Sequence, residues 1–118
     1  MRRLMILTGS LIVILAACTK YEIPKSPCPV DLPTNVGYST DVQPIFDANC
    51  VMCHSGGQSP DLRPPYSFDE LIDGGYVDKN FLCESELYLV LIGSHDGRAT
   101  DEEELIILGW MDEGAEDN

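Results

Sequence analysis

The chain has 118 residues, with 20 acidic side chains against 7 basic and a formal charge of −13. That is enough for one small domain, and so acidic a balance excludes nucleic-acid binding, which needs a basic face to neutralise phosphates. At 44% hydrophobic the chain is too apolar for a disordered acidic segment, and its five cysteines, an odd number, cannot all be used in internal disulfides.

Arg2 and Arg3 precede an apolar run, Leu4 to Ala16, broken only by Thr8, Gly9 and Ser10. The run is shorter than the roughly 20 apolar residues that span a bilayer. Positive charge followed by a short apolar stretch is the pattern of a secretory signal, expected over residues 1–17. The run ends Leu15-Ala16-Ala17-Cys18, which resembles the lipobox of bacterial lipoproteins. That resemblance implies cleavage before Cys18, acylation of its thiol and a lasting membrane anchor. Cleavage would remove both arginines and no acid, taking the charge from −13 to −15. Thr19-Lys20, with no aspartate beside the lipid, resembles lipoproteins delivered to the outer membrane. The expected location is therefore the cell envelope, on the outer membrane facing the periplasm or the surface.

Residues 18–37 carry Pro24, Pro29 and Pro33 and no helical period, so an extended tether is expected. Proline-rich chain rises about 3.1 Å per residue, which would let the tether hold a domain up to roughly 60 Å from the membrane. The domain itself is expected over 38–118. Thr40-Asp41-Val42-Gln43 has the form of a capping box, with Thr40 as N-cap and Pro44 still in the first turn. Val42, Ile45, Phe46 and Cys50 follow one helical face. Ser67-Phe68-Asp69-Glu70 predicts a second capping box and a helix stopped by Gly74. Ser85 is placed to cap a third helix through Leu87, Tyr88, Leu91 and Ile92. Thr100-Asp101-Glu102-Glu103 is a further capping box before Leu105, Ile106, Leu108, Trp110 and Met111, and Gly114 ends that helix. No alternating strand is present. The expected class is all-α, with three to five short helices joined by long loops.

Cys50-Val51-Met52-Cys53-His54 fits C-x-x-C-H, the attachment motif of c-type haem. Two thiols at this spacing add to the two vinyl groups of one haem, and the adjacent imidazole reaches the iron. The expected cofactor is one haem c, bound through Cys50 and Cys53, with His54 as the proximal iron ligand. Other chemistries use the same residues. A zinc site would recruit Cys50 and Cys53 with two ligands from Cys28, Cys83, His54 and His95. A Cys50–Cys53 redox pair or a plain disulfide needs only the two thiols.

From Tyr38 onward the chain resembles small lipoprotein cytochromes c of the class I superfamily. The residues that carry the resemblance are Tyr38 to Phe46, Cys50 to His54, Ser55-Gly56-Gly57, Glu86-Leu87-Tyr88, Ile92-Gly93 and Trp110 to Ala115. It implies a cytochrome c-like fold around one covalent haem, with Trp110 packed against haem or Phe46. It also implies that the carbonyl of Pro60 holds the second nitrogen of His54. Such cytochromes place an axial methionine in the loop before the last helix. Here that loop is Ser94-His95-Asp96-Gly97-Arg98-Ala99, without methionine, and beyond residue 17 the only methionines are Met52 and Met111. His95 therefore stands as candidate distal ligand, against the alternative of a solvated loop histidine and an open sixth site.

Cys28 and Cys83 remain. In an oxidising compartment they are expected to pair, with free or intermolecular thiols as the alternative. The combined expectation is a membrane-tethered, non-enzymatic electron carrier that docks through its acidic surface to a basic patch on a redox partner protein. The alternatives are a five-coordinate haem peroxidase or gas sensor, and a zinc-binding interaction module.

Overall fold

The computed structural model describes residues 28–118. The expected signal segment, Cys18 and the first part of the tether lie outside the described residues. Cys28 forms a disulfide with Cys83, their Cα atoms 5.8 Å apart, within the ordinary range for such a bridge. Beyond it the chain is no free tether. The backbone N–H groups of Asn35 and Val36 donate to the two carboxylate oxygens of Glu113, at 2.7 and 2.9 Å. Val36 is buried, and the Pro33 carbonyl passes so close to Gly109 that a Cβ there would clash with it. Residues 28–37 are thus a strap fastened to the domain. Proline content pointed to extended chain, which is right locally. Apolar Val36 and the distant Glu113 carboxylate fix where that extended chain lies.

Four α-helices follow: α1 (Gln43–Asn49), α2 (Ser67–Asp73), α3 (Glu86–Leu91) and α4 (Asp101–Asp112). A π-helical turn, Tyr38–Val42, leads into α1, and a 3-10 turn, Leu82–Glu84, precedes α3. The described residues contain no strand, so the class is all-α, and none of their helices is long and apolar enough to cross a membrane. α4 packs against the turn before α1 and the turn before α3.

The Thr100 capping box is formed. Its hydroxyl accepts from the Glu103 N–H, and the Glu103 carboxylate accepts from the Thr100 N–H at 2.8 Å. The other three expected caps are corrected. The first helical turn starts at Tyr38 with Gly37 as N-cap, and Asp41 accepts from the Gly37 N–H and the Thr40 hydroxyl, both at 2.8 Å. An ionised carboxylate is the stronger acceptor and displaces the threonine from the capping role. These bonds hold the Asp41 carboxyl below the usual carboxylate range. Ser67 makes no cap to α2; it is buried, accepts from the Tyr38 hydroxyl and donates to Gln43. Ser85 precedes α3, but its hydroxyl bonds to the backbone of Asp78. In each case a tertiary partner takes the polar group that a local pattern assigns to the helix end.

The core joins Tyr38, Val42 and Phe46 to Leu71 and to Ile107, Leu108, Trp110 and Met111 of α4. The aromatic neighbours of Trp110 are Tyr38 at 5.0 Å and Phe68 at 6.3 Å, and its Nε1 donates to the Glu116 carbonyl at 2.8 Å. Trp110 shares the buried core with Phe46, while the aromatic rings beside it are those of Tyr38 and Phe68.

Candidate functional site

The end of α1 continues as a turn. The N–H groups of Cys53 and His54 both donate to the Cys50 carbonyl, at 3.1 and 3.0 Å. This brings Cys50, Cys53 and His54 to one wall of a half-open cavity of about 230 Å³. Phe46 and Asn49 extend that wall along α1, and Leu62 and Leu71 floor it. Leu87, Val90 and Leu91 of α3 form the far wall, with His95 and Arg98 from the loop behind them. The lining is mostly apolar, and its polar side chains include the two histidines, Asn49, Gln58, Glu86 and Arg98.

Both thiols are free, with Cys50 half-buried and Cys53 exposed. Burial pushes the Cys50 thiol up, with Glu103 and Cys53 adding to the effect. Met52 between them points to solvent, 94% exposed, and Met111 is in the core, so neither methionine lines the cavity.

His54 is oriented by its own loop. Its Nδ1 lies 3.0 Å from the Pro60 carbonyl, and its backbone carbonyl accepts from the Leu62 N–H at 2.9 Å. A carbonyl can only accept, so Nδ1 carries a proton, and in the neutral ring the lone pair falls to Nε2. Across the cavity, the Nδ1 of His95 bonds to the Ser94 hydroxyl at 3.0 Å. His95 also donates its backbone N–H to the Val90 carbonyl and accepts from the Arg98 N–H, both at 2.9 Å. The Nδ1 of each imidazole is therefore engaged, which leaves each Nε2 for a ligand.

The centroids of the two rings are 6.1 Å apart and their planes are inclined by 45°. Two metal–nitrogen bonds of about 2.0–2.1 Å in line, plus about 1.2 Å from each ring centre to its nitrogen, give roughly 6.4 Å. The observed centroid separation is close to that sum. Among the described residues, this cavity included, no three of His, Cys, Asp and Glu converge on a point as a closed metal site requires.

Arg98 lines the mouth, exposed and in no ion pair, whereas Arg63 is paired with Asp61 at 2.6 Å. Tyr76, Gln58 and Ser59 also line the cavity with no sequence signal of their own, and Glu86, which helps carry the resemblance, lines it too. Leu87 and Leu91 stand four apart on α3, so a shared face is legible. That this face meets the thiols depends on how α3 sits against α1. Comparison of the chain with known protein families, with curated proteins and with solved structures found no match.

Proposed function

We propose that this protein is a lipid-anchored monohaem cytochrome c, of cytochrome c-like fold, that carries single electrons between exported redox partners. One observation carries the reading: both thiols of C-x-x-C-H and His54 share an apolar cavity with His95, whose ring stands 6.1 Å from that of His54. The donor set fits haem c. Cys50 and Cys53 would hold it by two thioethers, His54 would bind one iron face through Nε2, and His95 the other. Bound there, haem supplies a one-electron iron couple whose potential follows its ligands and burial. The Pro60 carbonyl fixes the tautomer and angle of His54. Leu62, Leu71, Leu87 and Leu91 would cover a bound haem with apolar surface, and Arg98, Asn49 and Gln58 offer polar partners for its carboxylates. Imidazole in place of a thioether on the second face lowers the potential relative to His/Met cytochromes.

The acidic surface supports docking to a basic patch on the partner, at a rate that falls as salt rises. The lipobox resemblance supports anchoring through Cys18, with the strap 28–37 setting how the domain leaves its tether.

A pyridine haemochrome assay on protein exported through a cytochrome c maturation system tests the reading. One haem per chain, retained through acid–acetone extraction, is expected. A chain that accumulates without covalent haem overturns it, and stoichiometric zinc in its place would favour the zinc module. His95→Ala should keep the covalent haem, turn the oxidised spectrum from low-spin to high-spin and open the iron to carbon monoxide. An unchanged low-spin spectrum removes His95 from the ligand set.

A further inference from the structure

A buried amide sits behind the loop that orients His54. Gln43 is the first residue of α1 and only 8% exposed. Its Nε2 donates to the Leu62 carbonyl at 2.9 Å and to the Asp47 carboxylate at 2.8 Å. Its Oε1 accepts from the Ser67 hydroxyl, which in turn accepts from the Tyr38 hydroxyl at 2.7 Å. The site demands one acceptor and two donors at the end of a single side chain, which an amide provides and a carboxylate or alkyl group does not.

Leu62 closes the loop that begins at His54. Its N–H donates to the His54 carbonyl, its side chain is buried, and its carbonyl is taken by Gln43. Pro60, whose carbonyl meets His54 Nδ1, stands two residues before it. Residues 55–59 are exposed, and the Asp61–Arg63 pair is local to the loop. Gln43 is therefore the side chain that ties this loop to α1 and, through Ser67, to α2.

We infer that Gln43 is a positioning residue for the cavity: by fixing Leu62 it sets where the Pro60 carbonyl stands, and so how strongly His54 donates through Nε2. The inference rests on the haem reading above. A firm Nδ1–H···O bond makes the imidazole a stronger donor, which favours ferric over ferrous iron. A loosened Pro60 carbonyl weakens that donation and raises the potential.

The test is redox titration, with electron paramagnetic resonance of the oxidised form, on holo-protein carrying Gln43→Leu, Gln43→Glu and Ser67→Ala. Gln43→Leu and Gln43→Glu both lose the donors. Ser67→Ala damages the same network while sparing the bond to Leu62. Both Gln43 variants should shift the reduced-to-oxidised ratio at a fixed potential toward reduced by about threefold or more, one contact out from partners whose loss costs 10–100-fold in metal affinity. Their axial ligand field should weaken as well. Ser67→Ala should melt lower and keep the wild-type potential. The inference is overturned if the Gln43 variants keep the wild-type potential, or if Ser67→Ala shifts it as far. It is also overturned if neither Gln43 variant accumulates with haem while Ser67→Ala does, which would make Gln43 a folding residue. Wild-type protein without covalent haem would instead defeat the haem reading itself, so the two failures are separable.

Discussion

The two walls of the cavity are built differently. The wall that carries Cys50, Cys53 and His54 grows out of α1 and is backed by buried neutral groups: Gln43, Ser67, Tyr38 and the Leu62 backbone. The wall that carries His95 is a loop between α3 and α4. Its residues 93, 94, 96, 97 and 98 are exposed, and His95 is held by backbone bonds and by its neighbour Ser94. That wall is secured from its ends. Cys83, just ahead of α3, is bound to the strap, and Thr100 caps α4 two residues after Arg98. One wall is thus tied by buried side-chain bonds and the other from its ends. The bonds behind the first wall join residues 19 to 29 apart in sequence, whereas the disulfide that secures the second spans 55.

The strongest way to break this comparison is to remove what would join the walls. Cys50→Ser and Cys53→Ser together would remove the proposed covalent haem, and about eighty residues with a small apolar core should then not stay folded. Circular dichroism should show no cooperative melt. A sharp transition in that variant would mean that the walls hold each other without a cofactor.

Next in size is the disulfide. Cys28 and Cys83 are 55 residues apart, and closing such a loop stabilises by about 4 kcal/mol in the chain-entropy account. Replacing both with serine should lower the melting temperature of the holo-protein. Amide exchange should rise on α3 and around His95 before it rises at Leu62. Equal loss of protection on both walls would mean that the strap supports the whole domain. A smaller effect is expected of Thr100→Ala, which removes one partner of the capping box and costs about 1 kcal/mol. Its local signature should be faster exchange at Glu103, whose N–H loses its acceptor.

These contrasts explain which parts of the molecule could be read in advance. The α4 cap is legible because its donors and acceptors lie within four residues of one another, and nothing buried competes for them. The first three caps are not, because Asp41, Tyr38, Gln43 and Asp78 claim the hydroxyls of Thr40, Ser67 and Ser85. The thiol spacing and the adjacent His54 are local, and His95 stands out because the chain has only two histidines. The far wall of leucines, the Arg98 at the mouth and the Gln43 amide depend on how α1, α2 and α3 meet, which no run of neighbouring residues encodes. Where the strap lies is hidden for the same reason. Proline announces extended chain but not the Glu113 carboxylate that receives it.

Acid separates the two sides most finely. The strap is clamped by Glu113, whose carboxyl is held below the usual glutamate range by the N–H groups of Asn35 and Val36. The loop end is clamped by Glu103, held down first by the Thr100 N–H. A folded pKa below the unfolded one adds stability that is fully present above the unfolded value and is lost as pH falls through the folded value. Both clamps should therefore weaken from about pH 4.3 downward, the ordinary glutamate value. On the other wall, the Gln43–Leu62 bond joins an amide to a peptide carbonyl, and neither titrates. The Tyr38 hydroxyl, pushed up to about 12 mainly by burial, stays protonated throughout the acid range. Amide exchange, corrected for intrinsic rate, should thus rise at Asn35, Val36 and Thr100 between pH 5 and pH 3, taken as roughly the window around that glutamate value, while Leu62 stays protected. If Leu62 loses protection in step with them, the two walls open as one unit and the distinction between them fails.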